Sequence, residues 1–309
     1  MFRTLITVSA LALSAPAALA HPTPLTQAAR PDVQVETTDL GDGLFMLTGR
    51  GGNIGVLNGP DGVFVIDSQF ADIAPANLAA IKEISGGDQV RFLINTHWHG
   101  DHVGGNAIFA DVGATVVAHE NVRARVSEDQ EGVLLGQVRK TPASPEGVWP
   151  VITYARDVTF HVNGQTVQVI HAPAAHTDGD SIVKFKEANV IHTGDIMFSG
   201  LFPFIDVSSG GTVDGYIAAL DLIYALADDE TTIMPGHGPV STRADVAVLA
   251  DMVRETSGIV RDLVEAGQSL EDIQAAAPLA DYAEDWSWGF INAERFTALL
   301  FADAQSRVR

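Results

Sequence analysis

The hydrophobic residues of this chain are concentrated in short runs bounded by glycine, asparagine or aspartate. Short apolar runs between turn residues are typical of buried or half-buried strands. They predict strands at 43–47, 54–57, 63–67, 90–94, 115–118, 158–162, 166–170, 181–185, 189–192 and 231–234. The pair Asn163-Gly164 indicates a tight hairpin turn between two of these strands, because both residues accept a positive φ.

Longer segments carry apolar residues at helical spacing. They predict helices at 74–84, 213–226, 243–266 and 292–302, a short helix that starts at 104–106, and a polar helix at 120–128. Strands outnumber helices in both halves of the chain and a helix closes each half, which predicts an α/β fold of two packed sheets with helices outside. Two connecting segments are also assigned a structure. Residues 49–53 are predicted to form a mobile hairpin tip, and residues 131–150 a loop that borders a binding cleft.

The amino-terminal segment differs in composition from the rest of the chain. Arg3, an apolar stretch at 5–13 and the small-x-small sequence at 18–20 predict a secretory signal at 1–20 that is cleaved after Ala20. Residues 21–32 contain three prolines and are predicted to be a flexible lead-in. We expect 33–309 to form a single domain with a helical carboxyl-terminal end, and the protein to be exported to the periplasm.

Composition limits the kinds of partner that this chain can have. It has 46% hydrophobic and 18% charged residues, which is typical of a folded protein with a sizeable core. A formal net charge of −21 with only 18 Lys and Arg argues against nucleic acid and anionic membranes, because phosphate binding needs clustered cations. After the signal, no segment approaches the ~20 apolar residues of a membrane span. The absence of cysteine excludes disulfides and thiolate chemistry. A small-molecule substrate is therefore expected.

The densest group of reactive side chains directly follows the apolar run at 90–94. Residues 97–102 read His-Trp-His-Gly-Asp-His, so three imidazoles and one carboxylate lie close together in sequence. If the chain stays extended, His97 and His99 point to the same side and can bind one ion. Gly100 is then predicted to turn the backbone through dihedrals that other residues avoid, which would bring Asp101 and His102 toward a second ion. Imidazole and carboxylate suit borderline divalent metals such as zinc.

Three later apolar runs are each followed by a potential metal ligand. These residues are His176, Asp195 and His237, and glycine stands near each of them in the sequence. Loops beyond strand ends commonly carry the chemistry of a rigid scaffold. We therefore expect all three residues to meet the first motif, with the glycines allowing close approach of the backbone.

Taken together, the motifs between Asp67 and His237 resemble those of the metallo-β-lactamase superfamily. The resemblance implies the four-layer αββα sandwich of that family, a dinuclear metal centre, and a supporting role for Asp67 beneath the metal loop. The implied ligands are His97, His99 and His176 for one ion, Asp101, His102 and His237 for the other, and Asp195 bridging both as in glyoxalase II.

The spacing of the later ligands resembles that of the lactamases whose second metal is held by cysteine. His176 and Asp195 are 19 residues apart, and Asp195 and His237 are 42 apart. This chain has aspartate where those lactamases have cysteine, and Ile196-Met197-Phe198 follows where they carry a lysine that binds the drug. The departure argues against true β-lactamase function and leaves weak or vestigial β-lactamase activity as an alternative.

The resemblance implies a metal-dependent hydrolase. Two divalent ions that share a water lower its pKa from about 16 toward ~7, so we expect two Zn²⁺ per chain and a bridging hydroxide that attacks an ester, thioester or amide carbonyl, including that of a lactam. Asp101 is expected to be catalytic, by orienting the nucleophile and shuttling a proton. Iron or manganese could replace zinc. The other open readings are an iron-dependent oxidoreductase of the persulfide-dioxygenase type and a non-catalytic metal-binding protein.

The remaining histidines and the carboxyl-terminal aromatic residues are expected to be mainly structural. His192 is interpreted either as a partner of Asp195 or as a plain strand-end residue. Three histidines match no ligand position and are predicted to be surface or hydrogen-bonded residues: His119, His161 and His171. Three aromatic residues are predicted to pack in the core rather than to line the pocket: Trp286, Trp288 and Phe290.

Overall fold

The computed structural model describes residues 34–134 and 137–308. The predicted signal at 1–20 and lead-in at 21–32 lie outside these residues. The strands are β1 Glu36–Gly41, β2 Leu44–Thr48, β3 Ile54–Leu57, β4 Val63–Ile66, β5 Val90–Asn95, β6 Thr115–His119, β7 Gln130–Leu134, β8 Gln137–Thr141, β9 Ile152–Tyr154, β10 Asp157–Val162, β11 Gln165–His171, β12 Ser181–Phe185, β13 Val190–His192 and β14 Thr232–Met234. The α-helices are α1 Ala74–Ser85, α2 Gly100–Val103, α3 Asn106–Asp111, α4 Glu120–Ser127, α5 Val213–Leu226, α6 Arg243–Glu265, α7 Leu270–Ala276, α8 Ala283–Trp286 and α9 Ala293–Val308.

The strands form two large sheets and a separate hairpin. The first sheet has the order β1-β2-β3-β4-β5-β6-β9, the second has the order β10-β11-β12-β13-β14, and β7 pairs only with β8. In the first sheet the pairs from β1 to β4 are antiparallel, and those of β4-β5-β6-β9 are parallel. In the second sheet β13 and β14 are the parallel pair. Parallel neighbours end at the same edge of a sheet, which is where the candidate ligands follow.

The hydrophobic core has three layers, one between the sheets and one on each outer face. Between the sheets, Phe64 and Ile94 of the first sheet share a buried cluster with Val183 and Phe185 of the second. Helix α1 packs on the outer face of the first sheet, and α5, α6 and α9 pack outside the second. The predicted α/β fold is therefore confirmed as a four-layer αββα sandwich. Among the described residues, no helix is both long and apolar enough to cross a membrane.

Two connecting segments differ from the sequence prediction. Residues 130–134 and 137–141 form the paired strands β7 and β8 rather than an irregular loop, although several of them do line the cavity beside the candidate site. Residues 51–53 are buried rather than a free tip, and the backbone N–H groups of Gly52 and Asn53 donate to the carbonyls of Asp101 and Gly236. Alternation and turn signals identify neither feature, because the hairpin strands are largely exposed and the glycine segment is buried by tertiary contacts.

Candidate metal centre

The motif at 97–102 begins where β5 ends and continues into α2. His99 is extended, with φ of −66° and ψ of 149°, and Gly100 is the first residue of the helix. Gly100 does not have a positive φ, and a Cβ placed on it would meet no atom within 4 Å. The predicted special role of Gly100 is therefore wrong. The backbone turns because a helix starts at Gly100, and Asp101 and His102 lie in its first turn.

The later candidates come from the ends of the second sheet. His176 follows β11, Asp195 lies in a short 3-10 turn after β13, and His237 follows β14. Because β13 and β14 are parallel, Asp195 and His237 emerge at one edge. The structure thus brings together all seven residues that the sequence singled out.

These seven residues form two groups that share Asp195. Within each group, one donor atom per residue lies within 4.8 Å of the donor atoms of all the others. The first group is His97, His99, His176 and Asp195, and the second is Asp101, His102, Asp195 and His237. Asp195 Oδ1 lies 3.0 Å from His102 Nε2, and Oδ2 lies 3.7 Å from His97 Nε2. This donor geometry is suited to a dinuclear metal site.

The rings of the first group are held at the nitrogen that faces away from the centre. His97 Nδ1 lies 3.1 Å from Thr96 Oγ1, His99 Nε2 lies 3.0 Å from Asp206 Oδ2, and His176 Nδ1 lies 2.6 Å from the Phe204 carbonyl oxygen. Metal-binding histidines usually use their second nitrogen in this way, which fixes the tautomer and the ring orientation.

In the second group, Asp67 holds His102. Its Oδ2 lies 2.7 Å from His102 Nδ1 and also accepts from the Thr96 hydroxyl, while Oδ1 accepts from the Thr96 backbone N–H. The structure therefore places Asp67 in support of the metal loop, as the resemblance implied. Asp206 was not identified from the sequence, because it lies in the loop between the turn at Asp195 and α5, away from any strand end.

The donor atoms that face the centre have only one another, or no partner at all, within the described part of the chain. His97 Nε2 is buried and makes no hydrogen bond, while His102 Nε2 lies 3.0 Å from Asp195 Oδ1 and His176 Nε2 lies 2.8 Å from His99 Nδ1. A buried polar atom without a partner costs about 1–3 kcal/mol. Coordination would satisfy His97 Nε2 and would place a cation among the other donors.

The pKa values of the histidines are shifted in opposite directions in the two groups. Burial lowers the pKa of His97 well below its usual value, and burial together with His99 lowers the pKa of His176 to about 4. Burial alone would also lower the pKa of His237, but Asp195 and Asp101 raise it to about 9. The pKa of His102 is likewise raised, against burial, by Asp195, Asp101 and Asp67. His97 and His176 therefore favour the neutral imidazole that a metal ion binds, and His102 and His237 favour a protonated form whose proton a metal ion would displace.

Two glycines allow the backbone to approach the ligands closely. A Cβ on Gly52 would lie 2.1 Å from His102 Cε1, and a Cβ on Gly236 would lie 2.1 Å from Asp195 Oδ1. Both distances are far below van der Waals contact, so only glycine fits either position. The expectation of close approach holds for Gly236, and Gly52 adds a position that the sequence did not connect with the centre.

A cavity of about 430 Å³ opens beside the two groups. Asp101 and His237 line it, and the side chain of Asp101 is 24% exposed whereas that of Asp195 is only 5% exposed. Trp288 and Phe290 pack against the core cluster outside the second sheet, as predicted, but they also line the cavity, which the prediction did not favour. Trp286 does not line it and packs against the core cluster outside the second sheet.

The remaining histidines lie outside both groups. His192 Nε2 lies 3.2 Å from the Asn53 carbonyl oxygen, and its Nδ1 accepts from the Gly194 N–H, so it supports the backbone around Asp195 rather than the carboxylate itself. His119 and His171 stack with ring centroids 3.7 Å apart, and His161 is exposed. These positions agree with the prediction that the three histidines are surface or hydrogen-bonded residues and not metal ligands.

The sequence was also compared with known protein families. A model of the metallo-beta-lactamase superfamily matches residues 47–237, which include every member of both donor groups. The chain belongs to the metallo-β-lactamase superfamily.

A hydroxyacylglutathione hydrolase of Polaromonas sp. is 27% identical over 154 residues, which are 49% of this chain and 49% of that protein. A beta-lactamase-like protein 2 homolog of Caenorhabditis elegans is 23% identical over 214 residues, which are 68% of this chain and 64% of that protein. The chain thus spans about half to two thirds of the length of these relatives.

Solved structures share the fold of this chain at low sequence identity. A metallo-beta-lactamase from Pontibacter korlensis has a TM-score of 0.60 and 18% identity, covering 72% of this chain and 99% of that one. An inverting sec-alkylsulfatase from Pseudomonas sp. has a TM-score of 0.63 and 17% identity, covering 86% of this chain and 50% of that one. These likenesses establish the metallo-β-lactamase fold, while the chemistry has to be argued from the centre itself.

Proposed function

We propose that this protein is a zinc-dependent hydrolase that cleaves an ester, thioester or amide carbonyl. The observation that carries the proposal is the pair of donor groups sharing Asp195 at the base of an open cavity. Imidazole nitrogen and carboxylate oxygen are common zinc donors. When bound there, two zinc ions would supply the Lewis acidity that activates water and polarises a carbonyl.

The residues of the chain would contribute positioning and proton transfer. His97, His99 and His176 would hold one ion, and Asp101, His102 and His237 the other, with Asp195 between them. Asp101 is the carboxylate more open to the cavity, and its Oδ2 lies 3.2 Å from His237 Nε2. We propose that Asp101 orients the attacking water, accepts its proton and passes that proton to the leaving group.

One relative and the residues after Asp195 favour thioesters and esters over β-lactams. Hydroxyacylglutathione hydrolase is named for hydrolysis of an acylated thiol, and its similarity to this chain supports a thioester or ester substrate. Ile196 and Met197 are buried after Asp195, and Phe198 follows them, so this stretch offers no cation to bind a drug carboxylate. Weak hydrolysis of β-lactams is the alternative, and it should be measured alongside hydrolysis of esters and thioesters.

Removal and return of metal tests the proposed function. Protein stripped with a chelator should lose hydrolysis of esters and thioesters, and zinc should restore it. His176→Ala should not recover on zinc addition, whereas the matched variant His161→Ala, at an exposed histidine of β10, should recover like the wild type. Undiminished hydrolysis by the stripped protein would show that the reaction does not use this centre.

We also propose that the protein acts after export, on the basis of the segment at 1–20. Mass spectrometry of the protein purified from its native host should find a mature chain that begins at His21. A chain that retains Met1 would overturn this proposal and leave the hydrolase proposal unaffected.

A further inference from the structure

One side of the cavity is a continuous surface of aromatic rings. It consists of Phe198, Phe204, Trp288 and Phe290, which we call the aromatic wall. Ring centroids lie 5.9 Å apart for Phe198 and Trp288, 5.5 Å for Trp288 and Phe290, and 5.6 Å for Phe204 and Phe290. The rings come from two loops that are distant in sequence, and together they present a broad apolar surface to the cavity.

The aromatic wall adjoins both donor groups. The ring of Phe204 lies 5.9 Å from that of His99, and the ring of Trp288 lies 6.0 Å from that of His237. A substrate with its carbonyl at the centre therefore has the wall directly beside the next atoms of its chain.

The β7–β8 hairpin contributes a further apolar group to the cavity. Val133 lines the cavity and is 54% exposed. Its backbone N–H donates to Ser208 Oγ over 3.3 Å, and the Ser208 hydroxyl donates to Asp206 Oδ1 over 2.6 Å. The hairpin is thus anchored to the carboxylate that orients His99, which holds Val133 at the cavity.

The charged side chains around the cavity largely have partners within the protein. Arg50 pairs with Asp72 and lies 4.5 Å over the ring of Phe70. Arg125 donates to both oxygens of Asp178, at 2.7 and 2.6 Å. Such pairing makes these two guanidinium groups supports for the lining rather than free anion sites. Arg139, on the exposed strand β8, also lines the cavity and donates to Gln137 Oε1 over 3.0 Å. The lining that directly adjoins the donor groups is therefore aromatic.

We propose that the substrate carries an apolar acyl group, a medium-length alkyl or aryl chain, which binds on the aromatic wall and against Val133 while the scissile carbonyl sits at the metal centre. This inference rests on the proposed hydrolase function. Complete burial of one methylene favours binding by about fourfold. A chain with several methylenes on the wall should therefore be strongly preferred to an acetyl group.

A chain-length series of thioesters tests the preference. Acetyl, butyryl, hexanoyl and octanoyl esters of N-acetylcysteamine share one small neutral leaving group, and the released thiol is measured with a disulfide reagent. The protein contains no cysteine, so it gives no background in this assay. For the zinc-loaded wild type, kcat/KM should be at least ~30-fold higher for octanoyl than for acetyl.

Two neighbouring tryptophans provide a matched pair of variants. Trp288→Ala removes a ring of the aromatic wall and should lower the octanoyl-to-acetyl ratio at least ~5-fold, while Trp286→Ala, outside the cavity, should leave the ratio within about twofold of the wild type. Trp288 Nε1 also donates to the Phe202 carbonyl oxygen over 3.0 Å. Phe290→Ala is therefore measured in the same way as a second wall variant, in case Trp288→Ala does not fold.

Failure of this inference is distinguishable from failure of the proposed function. The apolar-acyl proposal is overturned if the wild type hydrolyses octanoyl and acetyl thioesters with nearly equal kcat/KM. It is also overturned if Trp288→Ala and Trp286→Ala lower the octanoyl-to-acetyl ratio equally. Either result leaves the hydrolase proposal unaffected. If no thioester is cleaved, calorimetry with octanamide and acetamide on the metal-free protein decides the question separately. Binding of octanamide that Phe290→Ala weakens would support the aromatic subsite, and equal weak binding of both amides would overturn it.

Discussion

At the scale of single residues, the ligand rings are oriented by groups that lie outside the ligand motif. Asp67 holds His102, and Asp206 holds His99. The family resemblance pointed to Asp67, which ends an apolar strand that precedes α1 and the motif strand β5. Asp206 could not be found in this way, because its contact with His99 depends on the path of the loop between Asp195 and α5. Residue types therefore predict ligands better than they predict the groups that orient them.

Replacement of Asp67 by asparagine should weaken metal binding selectively. The variant Asp67→Asn removes the charge that accepts from His102 Nδ1, and loss of such a partner typically costs 10–100-fold in metal affinity. Competition with a coloured chelator should show this loss for one of two zinc equivalents. Asp157→Asn, on the exposed start of β10, should behave like the wild type. Equal affinities in all three proteins would remove Asp67 from the account.

Zinc binding should release protons in a defined pH range. The pKa of His237 is raised to about 9 by Asp195 and Asp101 despite burial, so this ring is protonated near pH 7.5 in the metal-free protein, and the pKa of His102 is raised in the same direction. Coordination requires neutral imidazole, so calorimetry in buffers of different ionisation enthalpy should find release of at least the His237 proton. Release should fall as pH rises through about 9. A pH-independent value near zero would contradict this charge distribution.

At the scale of elements, the centre lies where parallel strands of both sheets end. Apolar runs and glycine turns predicted most of these strands within one or two residues, and the helix at Val213–Leu226 agrees at both ends. The β7–β8 hairpin was not predicted, since its exposed strands have no buried face to produce alternation. The burial of 51–53 was also not predicted. This segment is buried by contacts with Asp101 and Gly236, which are distant in sequence and leave no local pattern.

Two glycines near the centre should respond in opposite ways to alanine. Gly52→Ala places a Cβ 2.1 Å from His102 Cε1 and should displace this ring, with loss of the second zinc equivalent and at least ~10-fold lower hydrolysis. Gly100→Ala meets no atom within 4 Å and should keep both zinc equivalents, because alanine is favourable in a helix. Zinc content of both purified variants measures the difference. The reverse order would show that the turn at Gly100 depends on glycine after all.

At the scale of the whole molecule, the metal centre joins the two halves of the sandwich. His97, His99, Asp101 and His102 follow the first sheet, while the other three ligands follow strands of the second. Bound metal would therefore cross-link two sheets that are otherwise held by their shared hydrophobic core. The division into layers was predictable from the order of elements, whereas the shape of the cavity was not, because distant loops supply its aromatic wall.

Metal removal should consequently lower thermal stability. Ligand that binds only the folded state at about 1,000 times its Kd stabilises by roughly 4 kcal/mol, which corresponds to a Tm shift of roughly 5–15 °C for a domain of this size. Calorimetric scans of zinc-loaded and chelator-stripped protein should differ by this amount. Asp195→Ala, which removes the residue common to both groups, should show little or no difference between the two conditions.

The central claim, a two-metal hydrolytic centre, is tested most directly by titrating stripped protein with zinc while following thioester hydrolysis. Activity should rise with added zinc and level off at about two equivalents per chain, with no uptake of dioxygen. A parallel titration with iron(II) separates the hydrolase from a redox enzyme. Hydrolysis that is independent of zinc, or a reaction that appears only with iron(II) and consumes dioxygen, would contradict the account.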